Sequence, residues 1–315
     1  MGDFNLITVT GPTAAGKTLF AANLAYYVNG EIISADSRQV YRKMDIGTGK
    51  DYGNYWVNGE QIPYHLVDIC DPGYNYNVYE YQKDFLFAYT DIKSRNRMPL
   101  LVGGTGLYIQ SVLEGYYLIQ VPVNEELRKR LNDLSHEDLV SRLNEMKPGQ
   151  HNTTDLLEKK RTVRAIEIAD YYESHPAENK PYPKISSLIF GIKNDRAISR
   201  KRISDRLARR LQAGLVAEVE SLLKIMKPED LIYYGLEYKF VTLYLTGKLK
   251  YDEMKSDLEA AIHQMAKRQM TWFRKMERSG YKIWWIDGQE PMDKKLSRAF
   301  DILKKNGYSD IILDR

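Results

Sequence analysis

The chain has 315 residues, enough for about two domains or one large core carrying an insertion. Hydrophobic residues make up 43% and charged residues 28%, an ordinary balance for a soluble protein, and no apolar stretch approaches the roughly 20 residues of a membrane span. The single cysteine, Cys70, excludes an intramolecular disulfide or a cysteine-built metal cluster, and a net charge of +4 is too small to imply a partner by itself.

Leu6-Ile7-Thr8-Val9 is a nearly continuous apolar run, which predicts a strand buried on both faces. It leads into Gly11-Pro12-Thr13-Ala14-Ala15-Gly16-Lys17-Thr18, and a helical pattern follows from Leu19. Strand, glycine-rich loop and helix in that order make a phosphate cradle: backbone amides converge on phosphate oxygens, Lys17 adds a full charge, and the Thr18 hydroxyl can hold Mg2+. By motif alone such a loop announces a nucleotide, usually ATP. Glu31-Ile32-Ile33-Ser34 predicts the next strand, and it ends in Ala35-Asp36-Ser37-Arg38-Gln39. In a parallel sheet that end opens onto the same crevice as the phosphate loop. Asp36 reads either as a helix cap or metal ligand, or as a general base, and Ser37, Arg38 and Gln39 supply enough donors and acceptors to grip a nucleobase.

A helix is predicted over Phe85 to Asn96, and Leu100-Leu101-Val102 reads as a third strand. It runs into Gly103-Gly104-Thr105-Gly106, with no acid where a nucleotide hydrolase needs one for its metal; Asp68, after His65-Leu66-Val67, is only a weak substitute. From Asn124 to about Glu173 the pattern is helical throughout. Ser135 caps one helix, Pro148-Gly149 ends it, and Pro176, Pro181 and Pro183 mark a loop back to the sheet. Further strands are predicted at Leu188 to Ile192 and Ile283 to Ile286, with a helix over Ser199 to Met226. The fold class is α/β, a P-loop-type parallel sheet core flanked by helices, with an all-helical insertion. The expected division is 1–120, 121–180 and 181–315.

Two segments are strongly basic. One holds Lys193, Arg196, Arg200, Lys201, Arg202, Arg206, Arg209 and Arg210; the other holds Lys267, Arg268, Arg274, Lys275 and Arg278. They read as solvated helix faces or as phosphate-facing surfaces. Composition and spacing stop at a phosphate-handling α/β protein with an acid in the cleft.

The blocks Gly11 to Thr18, Ser34 to Tyr41, Met44 to Lys50, Val102 to Tyr108, Arg164 to Ile168 and Gln264 to Phe273 together resemble the tRNA dimethylallyltransferases, also called tRNA isopentenyltransferases, in collinear order over most of the chain. The resemblance implies transfer of a dimethylallyl group from its diphosphate to N6 of the adenosine 3′ of a tRNA anticodon. Gly11, Pro12, Thr13, Ala14, Ala15, Gly16, Lys17 and Thr18 then hold the donor diphosphate, joined by Arg202 and Arg206. Thr18 holds magnesium, Asp36 accepts the amine proton, and Thr105 lies near the reacting amine. Ser37, Arg38 and Gln39 hold the flipped base and its neighbours, while Arg161, Arg164, Lys267 and Arg268 face the anticodon stem-loop. Trp272 and Phe273 read as core residues rather than a stacking platform. The lone cysteine, with no apolar span or signal-peptide pattern, reads as a cytoplasmic protein with no membrane partner, and the expected state is a monomer.

Two segments depart from the family pattern: Gln150 to Arg161, and Glu237-Tyr238-Lys239-Phe240, which lacks a glycine and an acid. Both bear on the grip of tRNA rather than on the reaction. The rival readings are an adenylate prenyltransferase acting on AMP, ADP or ATP, a P-loop kinase or NTPase, and an RNA-binding protein without catalysis.

Overall fold

The computed structural model describes residues 4–147, 156, 158–175 and 182–311. The Pro148-Gly149 helix end, most of the 150–161 segment, Pro176 and Pro181 lie outside them. The chain divides into two compact units, one formed by 1–115 with 184–315, the other by Tyr116–Pro183.

The strands of the first unit are β1 (Leu6–Thr10), β2 (Gly30–Ala35), β3 (Trp56–Val57), β4 (Glu60–Gln61), β5 (Tyr64–His65), β6 (Met98–Gly103), β7 (Ser187–Lys193) and β8 (Ile283–Asp287). Six form one sheet in the order β5-β2-β6-β1-β7-β8, and every pairing is parallel. Strands β3 and β4 form a separate antiparallel hairpin, which the sequence patterns missed along with the two-residue edge strand β5. The helices are α1 (Lys17–Tyr27), α2 (Val78–Ser94), α3 (Gly106–Leu113), α4 (Glu125–Asn132), α5 (His136–Met146), α6 (Lys159–Ser174), α7 (Arg196–Gln212), α8 (Leu215–Leu223), α9 (Pro228–Leu231), α10 (Leu236–Leu245), α11 (Tyr251–Arg278) and α12 (Met292–Lys305). Among the described residues no helix is long and apolar enough to cross a membrane.

Strand side chains alternate between faces, so neighbouring residues enter different cores. Leu6 and Ile33 join Phe85, Ile109, Leu207 and Phe273 on one face; Ile7, Val9 and Ile32 join Phe20, Leu24, Ala299 and Leu303 on the other. The single helix expected over Ser199 to Met226 is two helices. The chain breaks at Gly214, whose φ of 102° is left-handed and stops α7 before α8 begins. The helix expected over Phe85 to Asn96 starts earlier, at Val78, because Asn77 and Glu80 form a reciprocal cap there.

Strand β2 also buries a carboxylate. Glu31, 1% exposed, accepts from Arg95 Nη2 at 2.9 Å and Arg97 Nη1 at 2.9 Å, and pairs with His65 Nε2 at 2.8 Å. Burial alone would raise its pKa, but the hydrogen bonds and charges of Arg95 and His65 outweigh it and hold the carboxyl at about 2. Replacing Glu31 by Gln should therefore cost about 3 kcal/mol at neutral pH, the low end for breaking a buried pair because the arginines are half exposed. A carboxylate held below its ordinary value stabilises the fold above that value and stops doing so as pH falls. Urea unfolding should show the gap between wild type and variant intact at pH 7 and shrinking from about pH 4.5 towards 2; a gap independent of pH would contradict the assignment.

In the second unit, Leu127, Leu131, Leu139, Leu143, Val163 and Ile166 pack α4, α5 and α6 together. The Ser135 hydroxyl accepts from Asp138 N at 3.1 Å, the cap its sequence predicts. No strand interrupts the described part of this unit.

Candidate active site

The register of three adjacent strands builds the site. Gly103, the last residue of β6, pairs with Thr10 at the end of β1 on one side and with Ala35 at the end of β2 on the other. The loops that begin at Gly11, Asp36 and Gly104 therefore leave the sheet side by side, at its carboxyl edge.

The first of these loops is fixed by its glycines. Gly11 has φ 144° and lies so close to β7 that a Cβ there would sit 2.2 Å from the Ile192 carbonyl oxygen. Gly16, at φ 93°, caps the start of α1 over open space, which leaves the first amides of the helix free to meet an anion. Lys17 Nζ donates to the Pro12 carbonyl at 2.8 Å and so folds back over the loop. The Arg206 guanidinium reaches from α7 to the Thr13 hydroxyl. One turn earlier, Arg202 Nη2 donates to Gly288 O at 3.3 Å, where the backbone lies against Ala15. The two arginines thus lie on the phosphate-loop side of α7, as their spacing predicts.

These cations are crowded. Burial, with Arg206 nearby, pushes the Lys17 ammonium down to about 8, and Asp36 pulls the other way. Burial and Arg210 likewise lower Arg206 to about 10, against Glu237 and Asp36. A pocket that holds cations below their ordinary pKa lacks negative charge and suits an anion.

Asp36 accepts the Arg38 amide through Oδ1 at 2.9 Å, closing a turn at the end of β2. Thr105 links the second and third loops: its Oγ1 accepts Ser37 N at 3.1 Å and its own N–H donates to Ala35 O at 3.2 Å. Gln39 donates to Gly49 O at 3.2 Å, and the Arg38 guanidinium lies 4.9 Å from the centre of the Tyr233 ring.

Several positioning residues escaped the sequence reading. Gln269, on α11, accepts Thr13 N through Oε1 at 2.8 Å and donates from Nε2 to Gly104 O at 3.0 Å, so one side-chain amide clips the phosphate loop to the Thr105 loop. Its signal was present in the Gln264 to Phe273 block, but a glutamine on a basic helix has no spacing that reveals its partners. Gln269→Leu should lower turnover about 10-fold by loosening both loops while leaving the melting temperature within a few degrees. Unchanged turnover would show that the clip is dispensable. Glu218 accepts the backbone N–H groups of Asp45, Ile46 and Gly47 at 2.7–2.9 Å, and Tyr238 OH donates to it at 2.8 Å. The atypical 237–240 segment thus supports the Met44 to Lys50 loop from beneath, with Glu237 paired to Arg210 at 2.8 Å.

Asp68 does not stand in for a metal-binding acid. It pairs with Lys50, whose side chain is 1% exposed and also meets Asp45 at 2.8 Å. Phe273 is buried and offers no stacking surface, and Trp272 is partly buried against the same core, packed on the Gly106 backbone with its indole N–H enclosed. Lys267 and Arg268 are exposed, with no ion pair among the described residues. In the second unit, Arg164 donates to Val121 O at 2.8 Å and pairs with buried Glu167, and Arg161 pairs with Glu158 at 3.3 Å.

A family model for IPP transferase matches residues 39–276. Over 306 residues the chain is 56% identical to tRNA dimethylallyltransferase 2 of Bacteroides fragilis, covering 97% of this chain and 100% of that relative. It is also 56% identical over 304 residues to tRNA dimethylallyltransferase 1 of Parabacteroides distasonis, covering 96% and 99%. Among solved structures, the full-length tRNA isopentenylpyrophosphate transferase of Bacillus halodurans is similar at a TM-score of 0.71 and 30% identity, over 96% of this chain and 97% of that one. A eukaryotic dimethylallyltransferase acting on tRNA shares the fold at a TM-score of 0.77 and 21% identity, over 96% and 80%.

Proposed function

We infer that this chain, which belongs to the IPP transferase family, transfers a dimethylallyl group to tRNA. The donor is dimethylallyl diphosphate, and the acceptor is N6 of the adenosine 3′ of the anticodon. The observation that carries this reading is the register at Thr10, Ala35 and Gly103, which sets a phosphate cradle beside a carboxylate with no metal-binding acid on β6. A hydrolase needs that acid; an alkyl transfer needs a base and a leaving-group cradle.

In the reaction the allylic C–O bond of the donor breaks as N6 of adenine forms the new C–N bond. The electron pair leaves with the diphosphate, whose charge Lys17, Arg206 and the uncapped amides at the start of α1 offset. Asp36 accepts the N6 proton, so positive charge does not accumulate on the nitrogen. Thr105 orients the amine from the adjoining loop, and Ser37, Arg38 and Gln39 hold the base, which must leave its stack to reach the cleft.

No group of three or more His, Cys, Asp or Glu side chains among the described residues is arranged to hold a metal. The Thr18 hydroxyl, at the first turn of α1, has no hydrogen-bond partner among the described residues. One neutral oxygen beside a diphosphate suits Mg2+, which keeps its waters and binds chiefly through substrate phosphates. Thr18 would hold the ion, and the ion would add positive charge at the leaving group.

The relatives named for tRNA favour tRNA over free AMP as acceptor. Lys267 and Arg268, with Arg161 and Arg164 of the helical unit, are the proposed backbone contacts, and the enzyme works as a cytoplasmic monomer. Incubation with dimethylallyl diphosphate and either tRNA or AMP, followed by mass spectrometry of the nucleosides, tests the reading. A five-carbon gain on tRNA adenosine is expected; a gain on AMP alone would overturn the acceptor.

A further inference from the structure

An exposed tyrosine stands beside the proposed base-gripping segment. Tyr233 lies in the short turn Ile232–Tyr234 between α9 and α10 and is 52% exposed. Its neighbour Tyr234 points the other way: it is buried, its ring meets Tyr41 edge to face at 4.7 Å, and its hydroxyl accepts the Gly73 N–H at 2.6 Å. Tyr234 thereby anchors the turn and holds Tyr233 outward. The Tyr233 ring is fixed in place, edge to face with Tyr234 at 5.6 Å, and the Arg38 guanidinium lies over it at 4.9 Å. Arg38 is in turn tied through its amide to Asp36 at 2.9 Å. A flat cation and an aromatic ring thus lie together beside the segment that carries the proposed base.

We propose that Tyr233 and Arg38 form the stacking platform for the base that flanks the acceptor adenosine in tRNA. This rests on the function inferred above and names how that site tells a polynucleotide from a free nucleotide. When the acceptor base leaves the anticodon loop, its neighbour loses a stacking partner. An aromatic ring or a guanidinium plane replaces that partner for any base, and Arg over Tyr offers both surfaces in one place. A free nucleotide has no neighbouring base, so the platform contributes nothing to it. The chemistry reads stacking rather than base edges, so it selects for RNA context without selecting the flanking sequence.

The test is binding of a fluorescently labelled anticodon stem-loop by anisotropy, beside kinetics with dimethylallyl diphosphate. Stacking on one aromatic is worth about 1–3 kcal/mol per base, so Tyr233→Ala should weaken stem-loop binding by about 10-fold or more. Tyr233→Leu should behave like Ala, since leucine can pack under Arg38 but cannot stack, and Tyr233→Phe should stay within about 2-fold of wild type. The KM for dimethylallyl diphosphate should not move. A stem-loop with an abasic residue beside the acceptor should bind wild type and Tyr233→Ala equally. Wild-type affinity in Tyr233→Ala, or a change confined to donor KM, would overturn the platform. If wild type fails to bind the intact stem-loop, the tRNA acceptor falls as well; binding with no difference between Tyr and Ala overturns the platform alone.

Discussion

Asp36→Asn should lower the rate of prenyl transfer in a single turnover by about 10²–10⁴-fold, the span that a positioned base contributes. Asparagine is the informative replacement because its side-chain oxygen can still accept the Arg38 amide, as Asp36 Oδ1 does at 2.9 Å. The turn that presents Ser37, Arg38 and Gln39 is thereby kept, and only the capacity to take a proton is lost. Binding of tRNA should stay within a few-fold of wild type. Asp36→Ala should lose as much rate and add a small binding defect, since it also frees the Arg38 amide. Full activity in the asparagine variant would remove Asp36 from the reaction as a base and return it to the role of a turn former.

Lys17→Met should lower turnover by about 10²–10³-fold and weaken binding of the donor, with tRNA affinity unchanged. The position is sensitive because Lys17 folds over the loop onto Pro12 O and sits where burial and Arg206 hold it at about 8. A pH arm follows with a fixed sign. Below about 8 the ammonium is charged and kcat/KM for the donor should be level; above it the proton is lost and kcat/KM should fall. Diphosphate favours the charged form, so donor binding near pH 8 should be accompanied by proton uptake, measurable by calorimetry in buffers of different ionisation enthalpy. The residual activity of Lys17→Met should lack the decline above pH 8. A variant that loses tRNA affinity and keeps donor turnover would contradict the diphosphate role.

The core strands were legible because each is a short apolar run buried on both faces, and the five longest appear where their patterns place them. The phosphate loop was legible for a different reason: Gly11 and Gly16 occupy backbone conformations that restrict the residue type, so geometry leaves a mark in the sequence. Asp36 was legible as an acid at a strand end that opens, in a parallel sheet, onto the same crevice as the glycine-rich loop. What the structure added is the register, with Gly103 paired to both Thr10 and Ala35, which no local pattern encodes. Edge strand β5 and the β3–β4 hairpin are two residues per strand, too short for any periodicity to show. Gln269, Glu218 and Tyr233 act across 165, 171 and more residues of chain, through single side chains whose partners are set by tertiary packing. The long helix expected after Ser199 failed at Gly214, where one left-handed residue outweighed a continuous amphipathic pattern.

On the proposed function, residues 11–18 hold the diphosphate of an alkyl donor and not a nucleotide to be hydrolysed. The most direct test counts diphosphate released against adenosines alkylated in one reaction of wild-type protein with tRNA, dimethylallyl diphosphate and ATP. One diphosphate per alkylated adenosine, with ATP intact, is the predicted result. Phosphate released from ATP without alkylation of the tRNA would contradict it.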